Sequence, residues 1–136
     1  MVGICLVAAG TVVHLGVSSL TLAWTHSVEK IRWEEDYRAT AAGLVVVEDR
    51  VQGTGAGMEP PPDATFDGKW WRYHATIGPQ PQVILRRSGM TVGDWQVCIR
   101  GECKPMGAYV GEKADPVVMK SCGDSRSSPP ASGTAR

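Results

Sequence analysis

The amino-acid sequence predicts an all-β domain, an antiparallel β-sandwich or partly open barrel of about eight to nine short strands. Two observations carry this. From about residue 4 to about residue 108, short runs of alternating apolar and polar residues recur between turn signals, and no segment sustains a helical period with caps. The chain has 136 residues with 43% apolar and 21% charged, enough for one domain with a real core and ordinary for a globular protein.

The elements follow in order. Residues 4–8 and 11–15 read as two strands joined by a turn at Ala9-Gly10. The same stretch fails as a signal peptide. No Lys or Arg precedes its apolar part, His14 interrupts it, and a spanning helix needs roughly 20 apolar residues. A lipoprotein site at Cys5 fails because Ile4 is too large for the preceding position. The expectation is a chain with no transmembrane segment of its own, cytoplasmic by default, with the periplasmic face of the inner membrane as the alternative.

Residues 20–26, 33–39 and 45–51 form the next strands, with room for a single helical turn at 28–32. A long loop at 53–63, GTGAGMEPPPD, joins a flexible Gly run to a stiff Pro run. Strands at 69–75, 82–87, 95–99 and 102–108 follow, with a break at 77–81. From residue 112 the chain turns to Asp, Pro, Ser and Gly, which bury too little apolar area to offset the entropy of ordering. The predicted organisation is therefore a sandwich domain over 1–111 and a disordered tail over 112–136.

Fourteen basic and fourteen acidic residues cancel, so there is no basic field for nucleic acid and no polybasic membrane patch. Zero net charge is a poor way to stay soluble alone and favours a partner.

Strand phase singles out one polar cluster. Leu20, Leu22, Trp24 and His26 share a face, as do Trp33, Glu35, Tyr37 and Ala39, leaving Glu34, Asp36 and Arg38 for solvent. The shortest matching hairpin pairs Trp24 with Tyr37, Leu22 with Ala39 and His26 with Glu35. A three-residue loop Ala41-Ala42-Gly43 then sets Tyr37 against Val47, Trp33 against Val51 and Glu35 against Asp49. The result is an inward row of His26, Glu35 and Asp49. Two adjacent acids in a dry site cannot both stay ionised cheaply, so a proton, a cation or a metal must compensate. A two-residue turn at Ala42-Gly43 would instead place Arg50 opposite Glu35, an ordinary ion pair. The row is open to three readings: a salt bridge that sets register, a ligand or partner site, or a metal or catalytic site.

Other motifs narrow the function classes. Cys98 and Cys103 flank a two-residue turn at Arg100-Gly101 and stand opposite each other, as a cross-strand disulfide or as two packed thiols. Cys5 and Cys122 stand alone near the chain's ends, which argues against zinc, and no HExxH, CxxC or His-x-His spacing supports a metal. The Gly loop lacks the Gly-Lys-Ser/Thr of a phosphate cradle. Trp70-Trp71-Arg72-Tyr73 reads as core plus one exposed ring, and His74 faces solvent. There is no Gly-x-Ser-x-Gly element.

Trp24-Thr25-His26-Ser27-Val28-Glu29-Lys30, then Trp33-Glu34-Glu35, then Gly55-Ala56-Gly57-Met58-Glu59-Pro60 resemble a bacterial family known as domain of unknown function 1850. The resemblance runs from about Cys5 to Met106 and includes the closing Cys-x4-Cys hairpin. It implies a small, mostly β domain without established catalytic residues. It also implies genes beside TAXI-type TRAP transporters, which take up organic acids or similar solutes. His26, Ser27, Glu29, Trp33, Glu34, Glu35, Gly55, Gly57, Met58 and Glu59 carry the family's motif.

The resulting expectation is a non-enzymatic accessory or binding module without a cofactor. Its ligand or partner site comprises His26, Ser27, Glu29, Glu34, Glu35, Gly55, Gly57, Met58 and Glu59. Its partners are TRAP transporter subunits or their organic-acid solute. The alternative is a metal-binding protein or metal-dependent enzyme built on His26, Glu35 and Asp49.

Overall fold

The computed structural model describes residues 2–25, 31–52, 62–87 and 93–123. Among them the strands are β1 (Val2–Ala8), β2 (Thr11–His14), β3 (Ser19–Thr25), β4 (Arg32–Thr40), β5 (Gly43–Gln52), β6 (Thr65–Phe66), β7 (Trp70–Tyr73), β8 (Gln82–Leu85), β9 (Gln96–Ile99), β10 (Glu102–Pro105) and β11 (Val117–Gly123). A single helical turn, α1 (Gly107–Val110), follows β10. No helix among the described residues is long and apolar enough to cross a membrane.

The strands form two antiparallel sheets, ordered β2-β1-β11-β8 and β10-β9-β3-β4-β5-β7-β6. The sheets pack face to face as a sandwich. The period-2 alternation supplies the apolar layer. Ile4, Leu6 and Ala8 of β1, Leu85 of β8, and Val117 and Met119 of β11 meet Leu20, Leu22, Tyr37, Ala39, Leu44, Val46 and Val97 of the larger sheet. Met106 closes one end.

Four expectations change. The chain does not leave the fold at residue 112: β11 sits between β1 and β8 in the smaller sheet. Val117 and Met119 are fully buried, so this strand completes the core. A window dominated by Pro, Asp and Ser averages away the short apolar run Val117-Val118-Met119. Residues 124–136 lie outside the described residues. The run predicted at 102–108 ends as a strand at Pro105, and α1 takes over at Gly107.

The β3–β4 register is also different. Leu20 stands opposite Tyr37, Leu22 opposite Glu35 and Trp24 opposite Trp33. The faces are those the phase predicts, but the connection between the strands is longer than the shortest hairpin. Leu22 therefore occupies the place predicted for His26.

The β4–β5 hairpin takes neither predicted turn: it turns through two residues, one position before Ala42-Gly43. Thr40 pairs with Gly43, so Ala41 and Ala42 form the turn. The Thr40 hydroxyl accepts from Ala42 N at 3.2 Å and donates to Gly43 O at 2.8 Å. That phase runs from Tyr37↔Val46 to Ala39↔Leu44, until a bulge shifts it by one residue, and Glu35 then faces Asp49 and Trp33 faces Val51. Val47 is the displaced residue. It is turned outward and exposed rather than opposed to Tyr37, while Val46 takes the core place.

Gly43 is required by close approach. The Leu44 and Gln80 backbones exchange two hydrogen bonds of 2.8 Å, and a Cβ on Gly43 would collide with the Gln80 carbonyl.

Candidate functional site

Strands β4 and β5 present acids on both faces. On the outer face Arg50 is the hub, its side chain only 12% exposed. It binds Asp36 with two parallel bonds of 2.8 Å, reaches Glu48 at 2.6 Å and Glu34 at 3.0 Å. This is the bidentate geometry that a planar guanidinium favours. Arg32 adds a bond to Glu34 at 2.9 Å, Arg72 binds Glu48 at 2.9 Å and Asp67 at 2.8 Å, and Thr21 donates to Asp36 at 2.7 Å. Burial alone would raise the Asp36 pKa, but the bonds from Arg50 and Thr21 outweigh it and hold that carboxyl below its ordinary value.

The outer face is concave. Together with the β9–β10 hairpin it encloses a groove of about 630 Å³, lined among others by Glu34, Asp36, Arg38, Arg50, Arg100 and Cys103. Arg38 and Arg100 are exposed and, among the described residues, make no ion pair. Arg100 sits at φ 53 beside Gly101 at φ 83, so a non-glycine residue holds a left-handed position at the hairpin tip. Cys98 and Cys103 are directly opposed and disulfide-bonded, which stiffens the groove's edge.

The inner face differs. Glu35 and Asp49 are cross-strand partners, and Tyr73 is the partner of Asp49 on its other side. The Tyr37 hydroxyl donates to Glu35 Oε1 at 2.7 Å. Asp49 is 6% exposed, and burial, followed by the hydrogen bond and charge of Glu35, pushes its pKa up to about 8. At neutral pH the pair therefore keeps one proton between its two carboxyls. The Tyr37 and Tyr73 hydroxyls are both held above their ordinary value, first by burial and then by these acids.

An aromatic row lies beside the acid pair. Trp24 and Trp33 stack at 6.0 Å, Trp95 tilts onto Trp24 at 4.9 Å, and Phe66 tilts onto Trp71 at 4.9 Å. The buried indole N–H groups of Trp33 and Trp71 have no hydrogen-bond partner among the described residues.

Of the predicted site residues, Glu34 lies in the outer groove, and Glu35 and Asp49 meet on the inner face. Leu22, and not the predicted His26, is the β3 residue directly opposite Glu35. His26 itself, with Ser27, Glu29, Gly55, Gly57, Met58 and Glu59, lies outside the described residues. His74 is exposed as expected, its Nδ1 2.8 Å from the Val47 carbonyl oxygen.

Sequence reasoning missed Asp36, Arg38, Arg50 and Arg100 as a shared surface. The signal was present as acids and bases at alternate positions of β4 and β5. It also missed that Cys5 and Cys122 meet. They are bonded, and His14 Nδ1 lies 3.2 Å from Cys5 Sγ. Among the described residues this trio, and not the acid row, is the cluster of three metal-type ligands.

No curated protein and no solved structure matches this chain. Residues 20–106 match the family described as Domain of unknown function (DUF1850), a span covering β3 to β10 and hence both faces of the site. The protein belongs to the DUF1850 family.

Proposed function

We propose that this protein is a non-enzymatic binding module, an accessory of a TAXI-type TRAP solute transporter, and that the outer groove receives a carboxylate-bearing group. The observation that carries this reading is the pair Arg38 and Arg100, two exposed guanidiniums in one groove without a carboxylate partner among the described residues. A guanidinium fork matches a carboxylate, as expected for an organic acid. The transporter itself enters through what the family resemblance implies. Arg50 already satisfies Glu34, Asp36 and Glu48, which leaves their remaining lone pairs for hydroxyl groups of a solute. Asp36, held ionised by that network, is a poor proton acceptor near neutral pH, which favours binding over acid–base chemistry. All four cysteines are paired, which suits an oxidising compartment and the periplasmic face of a membrane.

The test combines calorimetric titration with a panel of mono- and dicarboxylates and capture of tagged protein on native membranes. Arg38→Ala/Arg100→Ala is expected to lower carboxylate affinity by at least about tenfold, whereas Lys113→Ala leaves it unchanged. Recovery of permease or solute-binding subunits supports the transporter assignment. Absence of carboxylate binding in the unaltered protein sinks the groove reading, and failure to recover any transporter subunit sinks the accessory role.

A second reading has its own observation. The Glu35–Asp49 pair can exchange its shared proton for a cation, as the metal-binding alternative requires. Titration with calcium, manganese and zinc ions, compared with Glu35→Gln, tests it, and identical traces for the two proteins would end it.

A further inference from the structure

Cys5, His14 and Cys122 converge on the outer face of the smaller sheet. His14 is the direct cross-strand partner of Cys5, and Cys122 lies diagonally across β11, whose Lys120 is opposite Cys5. All three stand on regular strands, where position is set by sheet register rather than by a loop. β1, β2 and β11 lie outside residues 20–106, so the cluster is separate from the DUF1850 match. Cys5 is fully buried, Cys122 half-buried and His14 exposed, which leaves one open side.

We propose that, when the Cys5–Cys122 bond is reduced, these three residues form a binding site for a soft divalent cation of the zinc class. The ligand atoms are Cys5 Sγ, Cys122 Sγ and His14 Nδ1, all within 4.8 Å of one another. Tetrahedral zinc with bonds of about 2.3 Å to sulfur and about 2.0 Å to nitrogen needs sulfur–nitrogen separations of about 3.6 Å. The observed separations, 3.2 Å to Cys5 and 3.9 Å to Cys122, bracket that value. Two thiolates and an imidazole match the donor softness of zinc. The fourth position falls on the open side, where water or a partner's side chain can complete the shell. The ion would then hold β11 to β1 and β2 in place of the covalent bond.

The chemistry balances with a phosphine reductant. The phosphine attacks one sulfur and breaks the S–S bond. Water supplies the oxygen of the phosphine oxide and two protons, leaving two cysteine thiols. The cation then displaces those two thiol protons as it binds both thiolates. His14 offers the ion the lone pair of Nδ1, the ring nitrogen that faces both sulfurs.

The experiment uses the full chain with Cys98→Ser and Cys103→Ser, so that the other pair supplies no thiol. Cobalt(II) is titrated into oxidised and phosphine-reduced protein, followed by thiolate-to-cobalt charge transfer and tetrahedral d–d absorption, with zinc competing it off. The expected result is stoichiometric binding only after reduction, and an affinity at least about tenfold lower in His14→Ala. His14→Asp, which restores a ligand oxygen, is expected to recover part of it. Circular dichroism follows folding throughout. A reduced chain that is folded yet gives no charge-transfer band overturns the proposal, as does equal binding by His14→Ala. Should reduction unfold the chain, refolding on zinc addition supports the site and persistent unfolding rejects it.

Discussion

The two faces of the β4–β5 hairpin carry similar acids and opposite electrostatics. Outside, Glu34, Asp36 and Glu48 surround Arg50, and Asp36 is held ionised. Inside, Glu35 and Asp49 meet without an ion-pair partner among the described residues, and Asp49 is held protonated up to about pH 8. Asp36 on β4 and Asp49 on β5 are thus shifted in opposite directions because the pleat sends them to different faces of the sheet. A carboxyl's state in a sheet is set by who stands opposite, not by local sequence.

The largest expected effect comes from Asp49→Asn. Above an unfolded pKa of about 3.9 the unfolded chain releases the Asp49 proton while the native state retains it. Rising pH therefore favours unfolding until the native carboxyl also titrates near pH 8. The variant lacks this penalty. Its stability advantage over the unaltered protein should widen by up to about 1.4 kcal/mol per pH unit between about pH 4 and about pH 8, then level off. Urea denaturation across that range measures it, and a constant difference would show that the inner pair is not proton-coupled.

Arg50→Met probes the other face. It removes one guanidinium and leaves Glu34, Asp36 and Glu48 mutually repelling, at an expected cost of about 3 kcal/mol near neutral pH. The sign with pH is the reverse of the inner pair. Asp36 has a lowered native pKa, so its stabilisation is present above the unfolded value and lost as pH falls through the native one. The cost of the substitution should shrink in acid, and an undiminished cost would assign Arg50 a packing role instead.

Tyr37→Phe removes the hydroxyl that donates to Glu35 at 2.7 Å. A loss of about 1.5 kcal/mol is expected, as for a hydrogen bond to a charged group. Thr21→Val tests the weakest link, the 2.7 Å bond to Asp36, with an expected loss of about 1 kcal/mol. Thermal unfolding orders these two. A larger loss for Thr21→Val would place the outer network, rather than the inner pair, at the centre of the sheet's stability.

Much of the fold was legible in the sequence because alternation is a local property. The faces of β3 and β4, the turn at Ala9-Gly10 and the opposition of Cys98 with Cys103 all follow from phase and turn chemistry. The Glu35–Asp49 pair was legible too, though by a compensation: a two-residue turn moved the register one way and the bulge at Val47 moved it back. The predicted partner His26 failed at the same level, since the length of the β3–β4 connection, and not the pattern within either strand, decides what faces Glu35. Strand β11 was illegible because its apolar run, Val117-Val118-Met119, is embedded in a Pro- and Ser-rich segment.

By itself the sequence determined the all-β class, the strand phases and the presence of acids on both faces of one hairpin, since each depends only on neighbours a few residues apart. Only the tertiary structure decided that Arg50 neutralises one face and leaves the other to share a proton, that Arg38 and Arg100 share a groove, and that Cys5, His14 and Cys122 meet. These are encounters between residues up to 117 positions apart. Register and sheet order bring them together, and neither is written in any single strand.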